Sequence, residues 1–113
     1  MNWTTLQLRK GLTTLIVLDA LEEGVWYAYG PRRAVHDRTK GQFSFSEGAL
    51  YPLLHALRAR GMVTVQRRKA RGRERLYYAL TAKGHKALDE LRREWATLRD
   101  ALAQVLCPAP IKP

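Results

Sequence analysis

The order of the segments predicts a mainly α fold of the α+β class: a winged helix-turn-helix with a two-stranded β-wing and a long C-terminal dimerisation helix. Three helical patterns come first, and two short strand patterns joined by a basic run follow them. The C-terminal part then carries apolar residues at coiled-coil spacing. We therefore expect a winged helix-turn-helix over 1–80, a dimerisation helix over 81–107 and a flexible tail over 108–113.

The first helix is predicted from Leu8 to Glu22, with Gly24 as its stop. Its apolar residues share one broad face: Leu8, Leu12, Leu15, Ile16 and Leu18. A second helix is predicted from Trp26 to Gly41. Pro31 is acceptable there only in the first turn, where its missing N–H costs no hydrogen bond.

The third helix contains the stretch SEGALYPLLHAL and is predicted to run to Arg60, where Gly61 stops it. Ser44 and Ser46 both fit as its N-cap, and the sequence does not separate them. The leucines of one face are expected in the core: Leu50, Leu53, Leu54 and Leu57.

The opposite face of the third helix is small and nearly flat, which would let it approach a DNA duplex closely. Gly48, Pro52, His55 and Ala59 lie on it, and Tyr51 flanks it. Hydroxyl and imidazole groups can contact phosphates or base edges, and a helix N-terminus such as that at Ser46 favours phosphate. The same spacing is equally consistent with ordinary half-exposed side chains.

The period changes to two after Gly61, which predicts two strands with Gly72 at the turn between them. The connection between the strands is crowded with cations, and we expect it to lie along DNA phosphates. A solvated basic loop without a partner is the alternative. The basic residues of this connection are Arg67, Arg68, Lys69, Arg71, Arg73 and Arg75.

The last helix is predicted to begin after Thr81, which is a good N-cap. Its apolar residues step by three and four, the spacing of a coiled-coil seam, and we expect them to form a dimer interface. This seam is short, so the helix also needs support from its own domain. The seam consists of Leu88, Leu91, Trp95, Leu98, Leu102 and Val105.

The charge balance indicates a polyanionic partner, because 20 Lys and Arg residues face 10 acidic ones, for a net charge of +10. An anionic membrane surface is the weaker choice, since the cations cluster on a hairpin and not on an amphipathic helix. There is no apolar run of membrane-spanning length and no secretory signal pattern, and the single cysteine, Cys107, excludes an internal disulfide framework. We expect a cytoplasmic protein without cofactor or metal, and no pattern of residues indicates an enzyme.

Four stretches together resemble the PadR-type transcriptional regulators: KGLTTLIVLDALEEG, WYAYG, SEGALYPLLHALRARGMV and GRERLYYALTAKG. The resemblance covers roughly Leu8 to Leu106. It implies that the third helix enters the major groove, that the C-terminal helix holds a homodimer, and that the protein usually represses nearby genes. The family signature Ser-x-Gly-x-Leu-Tyr-Pro falls on Ser46, Gly48, Leu50, Tyr51 and Pro52. The resemblance also implies DNA contacts at Tyr29, Ser46, Gly48, Tyr51, Pro52, Arg71, Arg73 and Arg75.

Two departures from the family pattern affect these expectations. Ala49 stands where many relatives have Thr, so a hydroxyl contact to DNA is lost there. Pro31 replaces an ordinary helix former, so the second helix is expected to start late or to bend.

Trp95 matches a tryptophan that stacks on flat aromatic ligands between the subunits of the multidrug-binding relatives. A small aromatic effector is therefore one interpretation of Trp95, and a large interface filler is the other. For the whole protein, two further functions stay open. They are a sequence-independent architectural nucleic-acid-binding protein and a ligand-binding carrier with incidental basic charge.

Overall fold

A computed structural model describes residues 2–22, 26–27 and 29–107 of the chain. It confirms the predicted winged-helix fold class, with a basic β-hairpin and a long C-terminal helix. The expected tail at 108–113 and the helix stop at Gly24 lie outside the described residues. The elements are α1 (Trp3–Lys10), α2 (Thr13–Leu21), β1 (Trp26–Tyr27), α3 (Tyr29–Arg38), α4 (Glu47–Ala59), β2 (Val63–Ala70), β3 (Arg73–Leu80) and α5 (Ala82–Leu106).

The prediction of one continuous first helix was wrong, because the chain forms two helices there. Asn2 caps α1 by accepting a hydrogen bond from the Thr5 N–H, and α1 ends at Lys10 with Gly11 as its C-cap. The Thr13 hydroxyl donates to the Lys10 carbonyl at 2.9 Å and so pairs a carbonyl that the break leaves free. Leu8 consequently lies on a separate helix, where it is exposed.

The predicted start of the second helix at Trp26 was also wrong. Trp26 and Tyr27 form β1, which pairs with Tyr78 and Tyr77 of β3. Aromatic residues favour strands, and α3 then begins at Tyr29 with Pro31 inside its first turn. The expected late start of this helix is confirmed.

A capping serine and a glycine turn define the two ends of α4. Ser46 is its N-cap, with the side-chain Oγ accepting from the Ala49 N–H at 3.2 Å, so the alternative cap at Ser44 was wrong. At the other end Gly61 has φ +76°. The Met62 N–H donates to the Leu57 carbonyl at 2.9 Å, which closes a Schellman motif. This glycine turns the chain back toward the sheet.

The hairpin is longer than predicted, because the basic run lies in the strands and not in a loop between them. β2 and β3 pair antiparallel from Val63–Leu80 to Ala70–Arg73. Arg71 and Gly72 form the turn, with φ of +52° and +76°. Two positive φ values give a turn whose twist matches a hairpin. β1 adds a third strand at the other edge of β3.

The core lies where α2, α4, α5 and the inner face of the sheet meet. Leucines of α4 fill it as predicted, and Leu53 packs against it while half-buried. The buried residues of the core cluster are Val17, Leu18, Leu21, Leu50, Leu54, Leu57, Val63, Tyr78 and Leu88. This core stabilises the domain through burial of apolar surface.

A close backbone approach joins α5 to the end of α4 and the base of the hairpin. Thr81 caps α5 by accepting from the Gly84 N–H at 3.0 Å, and its hydroxyl donates to the Gly61 carbonyl at 2.6 Å. The Thr81 N–H donates to the Met62 carbonyl at 3.1 Å. A Cβ atom at Gly84 would lie 2.1 Å from the Met62 carbonyl oxygen, so only glycine fits this position.

We expect Gly84→Ala to lower the free energy of unfolding by roughly 3 kcal/mol, because the backbone of α5 would have to move away from Met62. Urea denaturation of both proteins measures the effect. Gly11→Ala is the matched control, since a Cβ there meets nothing within 4 Å and φ is −67°. Equal unfolding midpoints for the two variants would contradict the close approach.

Candidate nucleic-acid interface

The face of α4 opposite the leucines is open to solvent along its length. Tyr51 is 36% exposed, while Leu50 and Leu54 behind it are buried. The helix therefore separates a core face from a polar, small-residue face, as predicted. The exposed residues proposed from the sequence are Ser46, Gly48, Ala49, Tyr51, Pro52 and His55.

Gly48 and Pro52 do not serve the packing of their own domain. A Cβ at Gly48 would have only the Ser46 Oγ within 4 Å, at 3.9 Å, so internal space does not demand glycine. Pro52 lies inside the helix without interrupting it. Because proline has no N–H, the Gly48 carbonyl lacks its helical donor. This carbonyl lies in the first turn on the exposed side, where it can accept from solvent or from a bound partner.

The register divides the basic residues of the hairpin between its two faces. Arg67 and Lys69 lie on the face of Val63 and Tyr78, which continues from the core. Arg68, Arg73 and Arg75 lie on the other face. Each face thus carries cations, and Arg71 at the turn belongs to neither.

Contacts of Arg67 and Arg68 hold side chains of the hairpin in place. The Arg68 guanidinium lies 5.3 Å from the centre of the Tyr77 ring and donates to Gln66 at 2.8 Å. Arg67 lies 3.9 Å from Glu74, the one acidic residue of the hairpin. Since a single carboxylate faces six cations, the hairpin keeps a strong positive charge.

The α4 helix and the sheet meet around Tyr78. Burial raises the pKa of the Tyr78 hydroxyl, the nearby Tyr51 raises it further, and Arg58 lowers it. Tyr51 and Arg58 of α4 therefore both act electrostatically on this hydroxyl of the sheet. Arg58 is exposed and lies in the last turn of α4. It falls within the stretch SEGALYPLLHALRARGMV, but the sequence analysis assigned no contact to it.

Cations of α3 form a second group that the sequence reasoning missed. The Arg32 Nε donates to the Phe45 carbonyl at 2.8 Å, and Arg33 lies 3.3 Å from Asp37. His36 also contacts Asp37, at 3.4 Å. A pattern of basic residues at positions 32, 33 and 36 was the available signal. Tyr29 begins α3, but its side chain lies outside the described part of the structure.

The α5 helix contacts its own domain as far as Trp95, in its fourth turn, and then leaves it. Leu88 is fully buried and Leu91 half-buried, so the expectation that Leu88 faces a partner was wrong: its side chain fills its own core. Further along, the apolar side chains are uncovered in the single chain. These residues are Trp95, Leu98, Leu102, Val105 and Leu106.

A cleft of about 280 Å³ lies beneath Trp95, between α2, α3 and α5. Leu15, Ile16 and Val35 give it apolar walls, and Arg92 stands at its edge. The Arg92 guanidinium contacts Asp19 and also bonds Glu22 at 2.8 and 3.0 Å. This ion-pair group ties α5 to α2 beside the cleft.

Other kinds of site find no support in the part of the chain that the structure describes. No three His, Cys, Asp or Glu side chains among residues 2–22, 26–27 and 29–107 come together as a metal site. None of the described helices is long and apolar enough to cross a membrane.

Comparison with known proteins gives a consistent result. The Transcriptional regulator PadR-like family matches residues 17–90. The transcriptional regulator YqjI of Escherichia coli is 30% identical over 84 residues, which are 74% of this chain and 39% of that protein. The chain thus spans about two fifths of the length of this relative.

Solved structures share the fold. A PadR family transcriptional regulator from Eggerthella lenta has 27% identity and a TM-score of 0.80, over 91% of this chain and 88% of the other. A transcriptional regulator from Clostridium thermocellum has 22% identity and a TM-score of 0.79, over 87% and 96%. At that lower identity the likeness concerns the fold alone.

We expect acid to weaken the link between α2 and α5. The hydrogen bond from Arg92 holds the pKa of Glu22 below its ordinary value, so the ionised carboxylate stabilises the folded chain. This contribution is complete above the unfolded-state pKa and is lost as the pH falls through the folded-state pKa. Glu22→Gln should therefore show a smaller loss of urea stability than the wild type between about pH 5 and pH 3.

Glu94→Gln, which removes an exposed carboxylate elsewhere on α5, is the control and should follow the wild type. Parallel pH profiles for wild type and Glu22→Gln would show that the ion pair contributes nothing.

Proposed function

The chain belongs to the transcriptional regulator PadR-like family, and from this premise we propose that it is a homodimeric repressor that binds an inverted-repeat operator in double-stranded DNA. The observation that carries the proposal is the exposed small-residue face of α4 beside a hairpin with six basic residues and one acidic residue. The proposal includes a cytoplasmic location and requires no cofactor.

In this proposal the N-terminal half of α4 enters the major groove. Gly48, Ala49 and Pro52 allow close approach, and Tyr51 and His55 supply hydrogen-bonding groups. Ala49 offers only a methyl group, which suits contact with an apolar base edge such as a thymine methyl. Tyr29 at the start of α3 is proposed to contact a phosphate.

The length of the hairpin suits a contact with the DNA backbone that flanks the groove. From Val65 to Ala70 strand β2 extends about 16 Å. The turn at Arg71 and Gly72 lies beyond this, at the end of the hairpin away from the core residue Val63. The proposal therefore assigns the hairpin tip to the phosphates beside the groove that α4 enters.

The exposed apolar stripe of α5 supports a dimer. Trp95, Leu98 and Leu102 are 39%, 48% and 47% exposed in the single chain, and burial against a second copy would remove this apolar surface from water. A two-fold dimer presents two copies of α4, which predicts half-sites about 34 Å apart. Leu91 and Val105 are proposed to border the same interface.

A small aromatic effector is proposed to act at Trp95. The cleft beneath this ring has apolar walls from α2 and α3, so a flat ligand could contact the ring and the DNA-binding domain together. Such a ligand releases DNA only if it binds the released geometry more tightly than the DNA-bound one.

Selection of bound duplexes from a random pool tests this function. We expect an inverted repeat with half-sites one helical turn apart. A sequence-independent architectural protein is the competing function, and comparable affinity for selected and random DNA would favour it. Failure to bind any duplex would exclude both and leave a ligand-binding carrier.

Removing charge from the hairpin tip should flatten the dependence of affinity on salt. We expect Arg71→Ala with Arg73→Ala to lower the slope of log affinity against log salt by about 2, because each phosphate contact contributes about 0.9. Fluorescence anisotropy over a salt series measures this slope. Lys86→Ala with Arg93→Ala removes two exposed charges from α5 as the control. A slope reduced equally by both variants would contradict a direct phosphate contact at the tip.

A further inference from the structure

A shallow basic groove lies between α3 and the segment that leads into α4. Arg32, Arg33 and His36 form one side, and Ser44 and Phe45 form the other. Its volume is about 180 Å³. None of the described side chains of the hairpin or of α5 lines it, so it is separate from the basic surface of the hairpin.

Arg32 fixes the groove to the start of α4. Its Nε donates to the Phe45 carbonyl at 2.8 Å, and Phe45 directly precedes Ser46, the N-cap of α4. The groove therefore lies beside the positive end of the α4 dipole, where backbone N–H groups favour an anion. Two guanidinium groups and a helix N-terminus thus converge on one small space.

We propose that this groove is a binding site for a DNA backbone phosphate, at the edge of the major groove that α4 enters, with Arg33 as its main ligand. The inference rests on the proposed function and adds to it a contact that neither the α4 motif nor the hairpin supplies. The Arg33 side chain is 66% exposed, so a phosphate can reach it without any change in the fold.

Asp37 contacts two of the basic residues of the groove. Its carboxylate lies 3.3 Å from Arg33 Nε and 3.4 Å from His36 Nδ1. The hydrogen bond from His36 lowers the pKa of Asp37 first, and Arg33 lowers it further. The carboxylate is therefore ionised at neutral pH. A phosphate that binds Arg33 must compete with it.

Because the Asp37 carboxylate and a phosphate compete for Arg33, substitutions at Arg33 and at Asp37 should change the affinity for DNA in opposite directions. An exposed ion pair holds Arg33 only weakly, because water screens both partners, so exchange of the carboxylate for a phosphate costs little. Removal of Arg33 takes away the phosphate ligand. Removal of the Asp37 charge takes away one competitor for Arg33 and also a repulsion between the carboxylate and the phosphate.

The test measures affinity for the selected operator duplex over a salt series for Arg33→Gln, Asp37→Asn and the double variant. We expect Arg33→Gln to weaken binding about tenfold and to lower the salt slope by about one. Asp37→Asn should bind roughly threefold more tightly. In the double variant the gain should disappear, leaving an affinity within about twofold of Arg33→Gln.

The matched controls are Lys86→Gln and Asp89→Asn, which change the same charges at exposed positions of α5. They report the effect of net charge alone. Circular dichroism and thermal melting of every variant confirm that the fold is intact.

The proposal is overturned if Arg33→Gln behaves like Lys86→Gln, or if Asp37→Asn fails to tighten binding beyond Asp89→Asn. Either result, with a normal effect of the hairpin-tip variant, would remove the groove and leave the proposed function standing. If the wild type selects no DNA, the groove and the proposed function both fail.

Discussion

The arrangement of the molecule depends on the contact between Gly84 and the Met62 carbonyl. Here the end of α4, the base of the hairpin and the start of α5 meet within a few residues. The Thr81 side chain accepts from the first turn of α5 and donates to the Gly61 carbonyl, so one residue both caps α5 and joins it to the turn after α4. Glycine at 84 allows the backbones to touch, and the positive φ of Gly61 provides the reversal. The directions of the three functional elements are set at this junction.

Electrostatic interactions have two different effects in this chain. Arg92 is held by Asp19 and Glu22, and this ion-pair group connects α5 to α2 inside a single subunit. The hairpin instead gathers cations that a single carboxylate cannot balance. The first arrangement stabilises the position of α5, and the second leaves charge for a polyanion. Net charge alone would not distinguish these two uses of arginine.

The sequence predicted the elements whose signals are local. Ser46, Gly61 and Thr81 define the ends of helices through short-range hydrogen bonds and backbone geometry. The alternation of Val63 and Val65 with polar residues marked a strand. The break at Gly11 was missed because the apolar face continues through it.

What remained unpredicted depends on distant partners. Strand β1 forms only because β3 lies beside it, and Leu88 enters the core only because α5 lies over α2 and the sheet. For the candidate site, the α4 face and the basic hairpin were predicted. The α3 groove was not, because it requires Arg32 to meet a carbonyl thirteen residues away.

The length of α5 has a mechanical consequence. Its 25 residues span about 37 Å. The domain contacts α5 from Gly84 to Trp95 and leaves the remainder, as far as Leu106, uncovered. A tilt of about 5° at the junction therefore displaces the far end by about 3 Å. In a dimer joined through the far ends of the two α5 helices, a shift of a few ångströms between these helices would change the orientation of each DNA-binding domain as a rigid body. The α5 helix thus couples movement at its far end to the orientation of the DNA-binding domain, and the contact at Gly84 lies at the fixed end of this helix.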